Sequence, residues 1–173
     1  MTDYTGEHYP EHLKYNVRIK AKQIAIATVF EMRKVPKRVL DKSQIAQELI
    51  GSLGEQIFYH VFKPFDPTMK QKKVLIGHGD PDGDFVFLNH TIEVKASRHD
   101  GHLLLKDDRP IDAEYYVFCW IDIPNKWGIL RGFCTADRLR QDEHKIFGKS
   151  KDMCYNVHKS QLTPMSQLVT TLH

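Results

Sequence analysis

The sequence predicts an α/β fold: a central mixed β-sheet flanked by helices, with a basic helical extension at the N-terminus. Three observations carry this. Two runs rich in β-formers, residues 84–88 and 91–95, are separated only by the polar pair Asn89-His90, which reads as a hairpin turn. Residues 115–123 are nearly all apolar, as expected of a strand covered on both faces. Upstream, a stretch from Ser43 to Phe62 has helical character and ends before Pro64 and Pro67.

The elements follow in order. Residues 1–13 are polar. Residues 15–32 carry Val17, Ile19, Ile24, Ile26, Val29 and Phe30 at intervals that suit a basic amphipathic helix, or a strand and a helix, broken by Val35-Pro36. Ser43 is a plausible N-cap for the next helix, in which Gly51 and Gly54 interrupt the run or allow tight packing. A strand near residues 74–76 precedes the 84–88 and 91–95 hairpin. Residues 98–110 read as a loop rich in Asp, His and Lys. The apolar strand 115–123 turns at Pro124-Asn125-Lys126 into a strand over 127–133. Residues 136–146 look helical, 155–158 form a short strand, and Thr163-Pro164 opens a last helix.

The 173 residues suit one domain, with 1–42 as the extension and about 43–170 as the core. Hydrophobic content of 41% and charged content of 27% are those of an ordinary globular chain. No N-terminal apolar run resembles a signal peptide, and the longest apolar stretch is too short to cross a membrane. Cys119, Cys134 and Cys154 are odd in number and scattered, which argues for reduced thiols and a cytoplasmic setting.

With Asn89-His90 as a two-residue turn, Leu88 faces Thr91, Val86 faces Glu93 and Asp84 faces Lys95. Opposed residues share a face, and side chains alternate with period two, so Asp84, Glu93 and Lys95 converge. Charges in such an apolar strand context are costly unless paired or functional. Asp and Glu supply hard oxygen ligands suited to Mg²⁺ or Mn²⁺. A lysine beside them can hold or deprotonate a water, or neutralise charge in a transition state. A calcium-loop reading of Asp80, Asp82 and Asp84 fails, because Phe85 stands where the loop glycine belongs and Thr91 where the bidentate Glu belongs.

Pro81-Asp82, Asp84 and Glu93-Val94-Lys95-Ala96-Ser97 resemble the signature of the PD-(D/E)XK nuclease superfamily, the restriction-endonuclease-like core. Gly51-Ser52-Leu53-Gly54-Glu55 resembles its Gly-x-x-Gly-Glu helix start, whose glutamate points at the metal site. Residues 112–120 and 155–164 resemble its later strands, so the likeness covers roughly 43–170. The resemblance implies Mg²⁺- or Mn²⁺-dependent hydrolysis of phosphodiester bonds, with double-stranded DNA favoured. Asp84, Glu93 and the Val94 carbonyl would hold the metal. Glu55 would act through a water or a second ion, and Lys95 would orient the attacking water. Asp82 and Ser97 would support these ligands from behind. Asp84 is preferred to Asp82 as ligand because Gly83 places Asp82 in the turn before the strand. Repair, recombination or homing cleavage, an RNA substrate, and a DNA-binding module without activity are the alternatives. A homodimer would suit double-strand cutting of palindromes.

Charge distribution supports a polyanionic partner. The net charge of +3 is modest, but Arg18, Lys20, Lys22, Arg33, Lys34, Lys37 and Arg38 face only Glu31 and Asp41 nearby. Lys70, Lys72 and Lys73 form a second cluster. Such faces attract phosphate backbones without reading sequence. Arg98, His99 and His102 lie on the segment expected to touch substrate; His99 and His102 alone lack the further ligands of a closed zinc site. A helix-turn-helix reading of residues 43–58 fits poorly, since Gly51 falls one position late and Gln56 occupies an apolar position.

Overall fold

The computed structural model describes residues 42–71, 83–106, 109–122, 127–141, 145–147 and 152–173. The basic segment, the 74–76 strand, Asp82, Lys72 and Lys73 lie outside them.

Helix α1 spans Lys42–Phe62 without interruption, so neither glycine breaks it and no helix-turn-helix turn forms at Gly51. Ile50, Leu53, Ile57, Phe58 and Val61 recur at helical spacing and are buried on one face. Pro64 stops the helix, because a residue before proline is driven out of the helical region. The exit is fixed by Asp66. Its Oδ1 accepts from the Thr68 N–H (2.9 Å) and hydroxyl (2.5 Å), and its Oδ2 accepts from the Leu88 N–H at 2.9 Å.

A five-stranded mixed sheet follows, built from β1 (Lys70–Gln71), β2 (Phe85–Phe87), β3 (His90–Ser97), β5 (Tyr115–Asp122) and β6 (Trp127–Thr135), in the order β1-β2-β3-β5-β6. All neighbours are antiparallel except β3 and β5. The β2–β3 turn is Leu88-Asn89, not Asn89-His90. Both residues have positive φ (48° and 67°), the geometry of a primed two-residue turn that matches strand twist. The register is therefore Phe85↔Ile92 and Phe87↔His90, shifted by two from the expected one. A shift of two preserves the faces.

The second correction concerns residues 98–110. His102–Lys106 is strand β4, which joins β8 (Asp152–His158) and β7 (Lys145–Phe147) in a separate antiparallel sheet ordered β4-β8-β7. Leu103 and Leu105 point inward and are buried, which outweighs the polar residues around them. The helix expected over 136–146 stops early. Helix α2 is Ala136–Arg140, with the Thr135 hydroxyl capping Arg138 N–H at 3.1 Å, and the chain then enters β7. The last segment runs through two 3₁₀ turns, Lys159–Gln161 and Met165–Gln167, into helix α3 (Leu168–Leu172).

Two apolar cores result, one on each side of the main sheet. On the α1 side, Val94, Val117, Cys119 and Ile121 pack with Ile57, Phe58, Met165 and Leu168. On the other side, Tyr116 and Phe118 pack with Leu103, Leu105, Leu139 and Val157. Alternate residues of β5 feed opposite cores, which is why that strand reads as an unbroken apolar run.

Candidate functional site

Gly83 sets the approach. Its φ is +81°, and a Cβ there would lie 2.8 Å from the Ile92 carbonyl oxygen, so only glycine lets the chain pass so close to β3. Asp84 N–H then donates to that oxygen at 2.8 Å, while Asp84 Oδ2 accepts from the Val94 N–H at 2.7 Å. The carboxylate thus takes the ladder position that a strand residue would fill if β2 continued. Because Ile92 C=O and Val94 N–H both face β2, the Val94 carbonyl faces the same gap.

The paired register ends at Phe85↔Ile92, and Asp84 bonds to Ile92 and Val94 rather than standing opposite Lys95. Ile92 and Val94 are buried on the α1 side, and Thr91, Glu93, Lys95 and Ser97 occupy the other face, all half-buried. The Glu93 carboxylate and Lys95 ammonium form an ion pair. Glu93 and Lys95 share a face of β3, and Asp84 comes near them through its bonds to Ile92 and Val94 rather than through the ladder. Burial, followed by the charges of Glu93 and Glu55, holds the Asp84 carboxyl well above the usual carboxylate range, against the Val94 N–H and Lys95.

Glu55 arrives differently from the expectation. It is not at a helix start but well inside α1, next to Gly54. A Cβ on Gly54 would sit 2.6 Å from Ala96 Cβ, so glycine brings the helix directly onto β3. Glu55 Oε2 accepts from Gln71 Nε2 at 3.0 Å, and Gln56 Nε2 approaches Gln71 Oε1 at 3.5 Å. Gln56 is fully buried, and its Oε1 has no hydrogen-bond partner among the described residues. Gln71 is thus a neighbour of the site that sequence reasoning missed. It lies 16 positions from Glu55, and no local pattern links the two.

The donor types suit a hard divalent cation: Asp84 with two further carboxylates, Glu93 and Glu55, within electrostatic reach of it, and a carbonyl facing the same gap. Among the described residues, no three His, Cys, Asp or Glu side chains stand grouped as a ready metal site. Glu93 is turned to Lys95 and Glu55 to Gln71. The like-charge crowding at Asp84 is the property that a cation would relieve.

Around this centre, Tyr116 is paired with Glu93 across β3–β5; burial and the Glu93 charge push its hydroxyl up to about 12, against hydrogen bonds from Ala113 and Asp112. Ser97 Oγ accepts from the His99 N–H at 3.0 Å. The 98–101 segment is a fixed turn. Asp100 is held by Arg131 through Nε (2.8 Å) and a terminal nitrogen (2.5 Å), and by Lys159 Nζ at 2.6 Å. The Arg131 guanidinium also lies 4.8 Å from the Trp120 ring centre. Arg98 and His99 are exposed on this turn. His102 is on β4, opposite His158, with ring centres 4.9 Å apart. Asp100, Trp120, Arg131 and Lys159 were not foreseen as a unit, since they come from four separate parts of the chain. Lys20, Lys22, Arg33, Lys34, Lys37, Arg38, Lys72, Lys73 and Asp82 lie outside the described residues. Comparison with protein families, with curated proteins and with solved structures finds no match to this chain.

Proposed function

We propose that this chain is a divalent-metal-dependent DNA endonuclease with a restriction-endonuclease-like core. The observation that carries the reading is the crowding of Asp84 by Glu93 and Glu55 beside Lys95, at the point where β2 leaves β3. The order of elements supports it: a helix bearing the glutamate, a hairpin bearing Asp84 and the Glu93-Val94-Lys95 run, then β5 parallel to β3. So does the charge pattern of the sequence.

Asp84, Glu93 and the Val94 carbonyl would hold Mg²⁺ or Mn²⁺, with Glu55 reaching it directly or through water. A bound divalent ion supplies Lewis-acid stabilisation of phosphoryl charge and acidifies a coordinated water. The chain's own part is positional. Asp84 is fixed by the Val94 N–H, so its second oxygen points with little freedom. Lys95, exchanging Glu93 for substrate, orients the attacking water and offsets charge on the phosphoryl oxygens. Gln71 sets the direction of Glu55.

The test has two arms. Purified protein should nick or cut plasmid DNA with Mg²⁺ or Mn²⁺ and stop with a chelator; Ca²⁺ should support binding with little cleavage. Separately, Mg²⁺ should raise the thermal midpoint of the wild type and leave that of Asp84→Asn unmoved. Full activity in chelator, or an equal shift in both proteins, refutes the metal reading. DNA binding without cleavage in any of these ions would identify an inactive DNA-binding module.

A further inference from the structure

The turn after β3 is tethered through its backbone and through the Asp100 side chain. Trp120 Nε1 donates to the Arg98 carbonyl at 3.1 Å, and Ser97 Oγ accepts from the His99 N–H at 3.0 Å. Gly101 N–H donates to the His99 carbonyl at 3.2 Å, and the Lys159 N–H donates to the Gly101 carbonyl at 2.8 Å. The one side chain of residues 98–101 that joins in is that of Asp100, clamped by Arg131 and Lys159. The side chains of Arg98 and His99 take part in none of these bonds and stand exposed. Partners from β3, β5, β6 and the Lys159–Gln161 turn thus fix two residues whose own side chains make no hydrogen bond or ion pair among the described residues.

We infer that the 97–101 turn is a preorganised clamp for the DNA phosphate backbone, with Arg98 as its main contact, His99 beside it, and Asp100 as the positioning residue that sets the turn. The inference rests on the endonuclease reading. Arg98 lies one residue beyond the end of β3 and three residues beyond Lys95, roughly 10 Å of extended chain, or the axial reach of about three nucleotides of one DNA strand. A DNA backbone that runs past Lys95 and over the end of β3 has a further phosphate within reach of this turn. Arginine suits that contact because its planar fork matches phosphate oxygens. Local charge agrees: Arg131 and Lys159 share one carboxylate, Asp100, and Arg98 adds a further positive charge to the turn. Fixing the turn beforehand removes ordering cost at binding.

The experiment measures binding of a short DNA duplex in Ca²⁺ at several salt concentrations, and Mg²⁺-dependent cleavage, for wild type, Arg98→Gln, Asp100→Asn and Asp100→Glu. Arg98→Gln should weaken binding about tenfold, the size of one charge-assisted contact. It should reduce the log–log salt slope by about 0.9. In cleavage the loss should fall on KM rather than kcat. Asp100→Asn should lose affinity as Arg98→Gln does, with Asp100→Glu recovering part of it; thermal midpoints identify any variant that fails to fold. Unchanged affinity and slope in Arg98→Gln, from a wild type that binds and cuts DNA, overturns the clamp alone. Tighter binding of RNA with the same Arg98 dependence overturns the DNA assignment. A wild type that neither binds nor cuts DNA overturns the endonuclease reading itself.

Discussion

Gly54→Ala tests how the helix delivers Glu55. The new methyl would lie 2.6 Å from Ala96 Cβ, whereas ordinary contact begins at 3.4 Å, so α1 and β3 must separate by about 0.8 Å. Neither neighbour can swing away, since the atoms involved are Cβ atoms fixed to the backbone. Overpacking of this kind costs about 1–3 kcal/mol, and alanine returns about 1 kcal/mol in helix propensity. The net expectation is a loss of roughly 0–2 kcal/mol in chemical denaturation. The functional loss should be larger in proportion, because a displacement near 1 Å at a catalytic group can cost about a hundredfold in rate. Ala96→Gly removes the opposing methyl, so the double variant should be more stable and more active than the sum of the single changes predicts. An increase in stability of about 1 kcal/mol for Gly54→Ala, with activity intact, would match an uncrowded helix glycine and refute the close-approach argument.

Other perturbations follow from the same geometry. Asp84→Asn, Glu93→Gln and Lys95→Met should each reduce Mg²⁺-dependent cleavage by about a hundredfold or more, with folding checked by circular dichroism. Asp66 is held below its ordinary value of 3.8 by the Thr68 hydroxyl and the Leu88 N–H. A depressed folded pKa contributes stability above the unfolded value and loses it as pH falls through the folded one. Wild type should therefore lose stability below about pH 4 more steeply than Asp66→Asn in acid denaturation. Asp66→Ala, which leaves the Leu88 N–H without its acceptor, should cost about 1–3 kcal/mol at neutral pH. Asn89 has a φ of 67°, so Asn89→Gly should be neutral or stabilising and Asn89→Val should cost about 1–2 kcal/mol by thermal melting.

The sequence by itself determined what depends on short-range pattern. Alternation along β3 puts Glu93 and Lys95 on one face even though the expected turn lies one position off, while Asp84 joins them through its bonds to Ile92 and Val94. The error moved the pairing by two, and period two keeps the faces. The apolar run of β5 marked a strand covered on both sides, and Pro64 marked the end of α1. Tertiary structure decided what depends on distant partners. Leu88 accepts a positive φ because Asp66 holds its N–H from 22 positions away. Leu103 and Leu105 became a strand because β8 supplied both the ladder and an apolar face. Glu55 reaches the site from the middle of a helix, since Gly54 against Ala96 sets the helix-to-sheet distance. The Asp100 node joins four separate parts of the chain. A charge pairs with whatever the fold brings beside it, and that choice leaves no periodicity in the sequence.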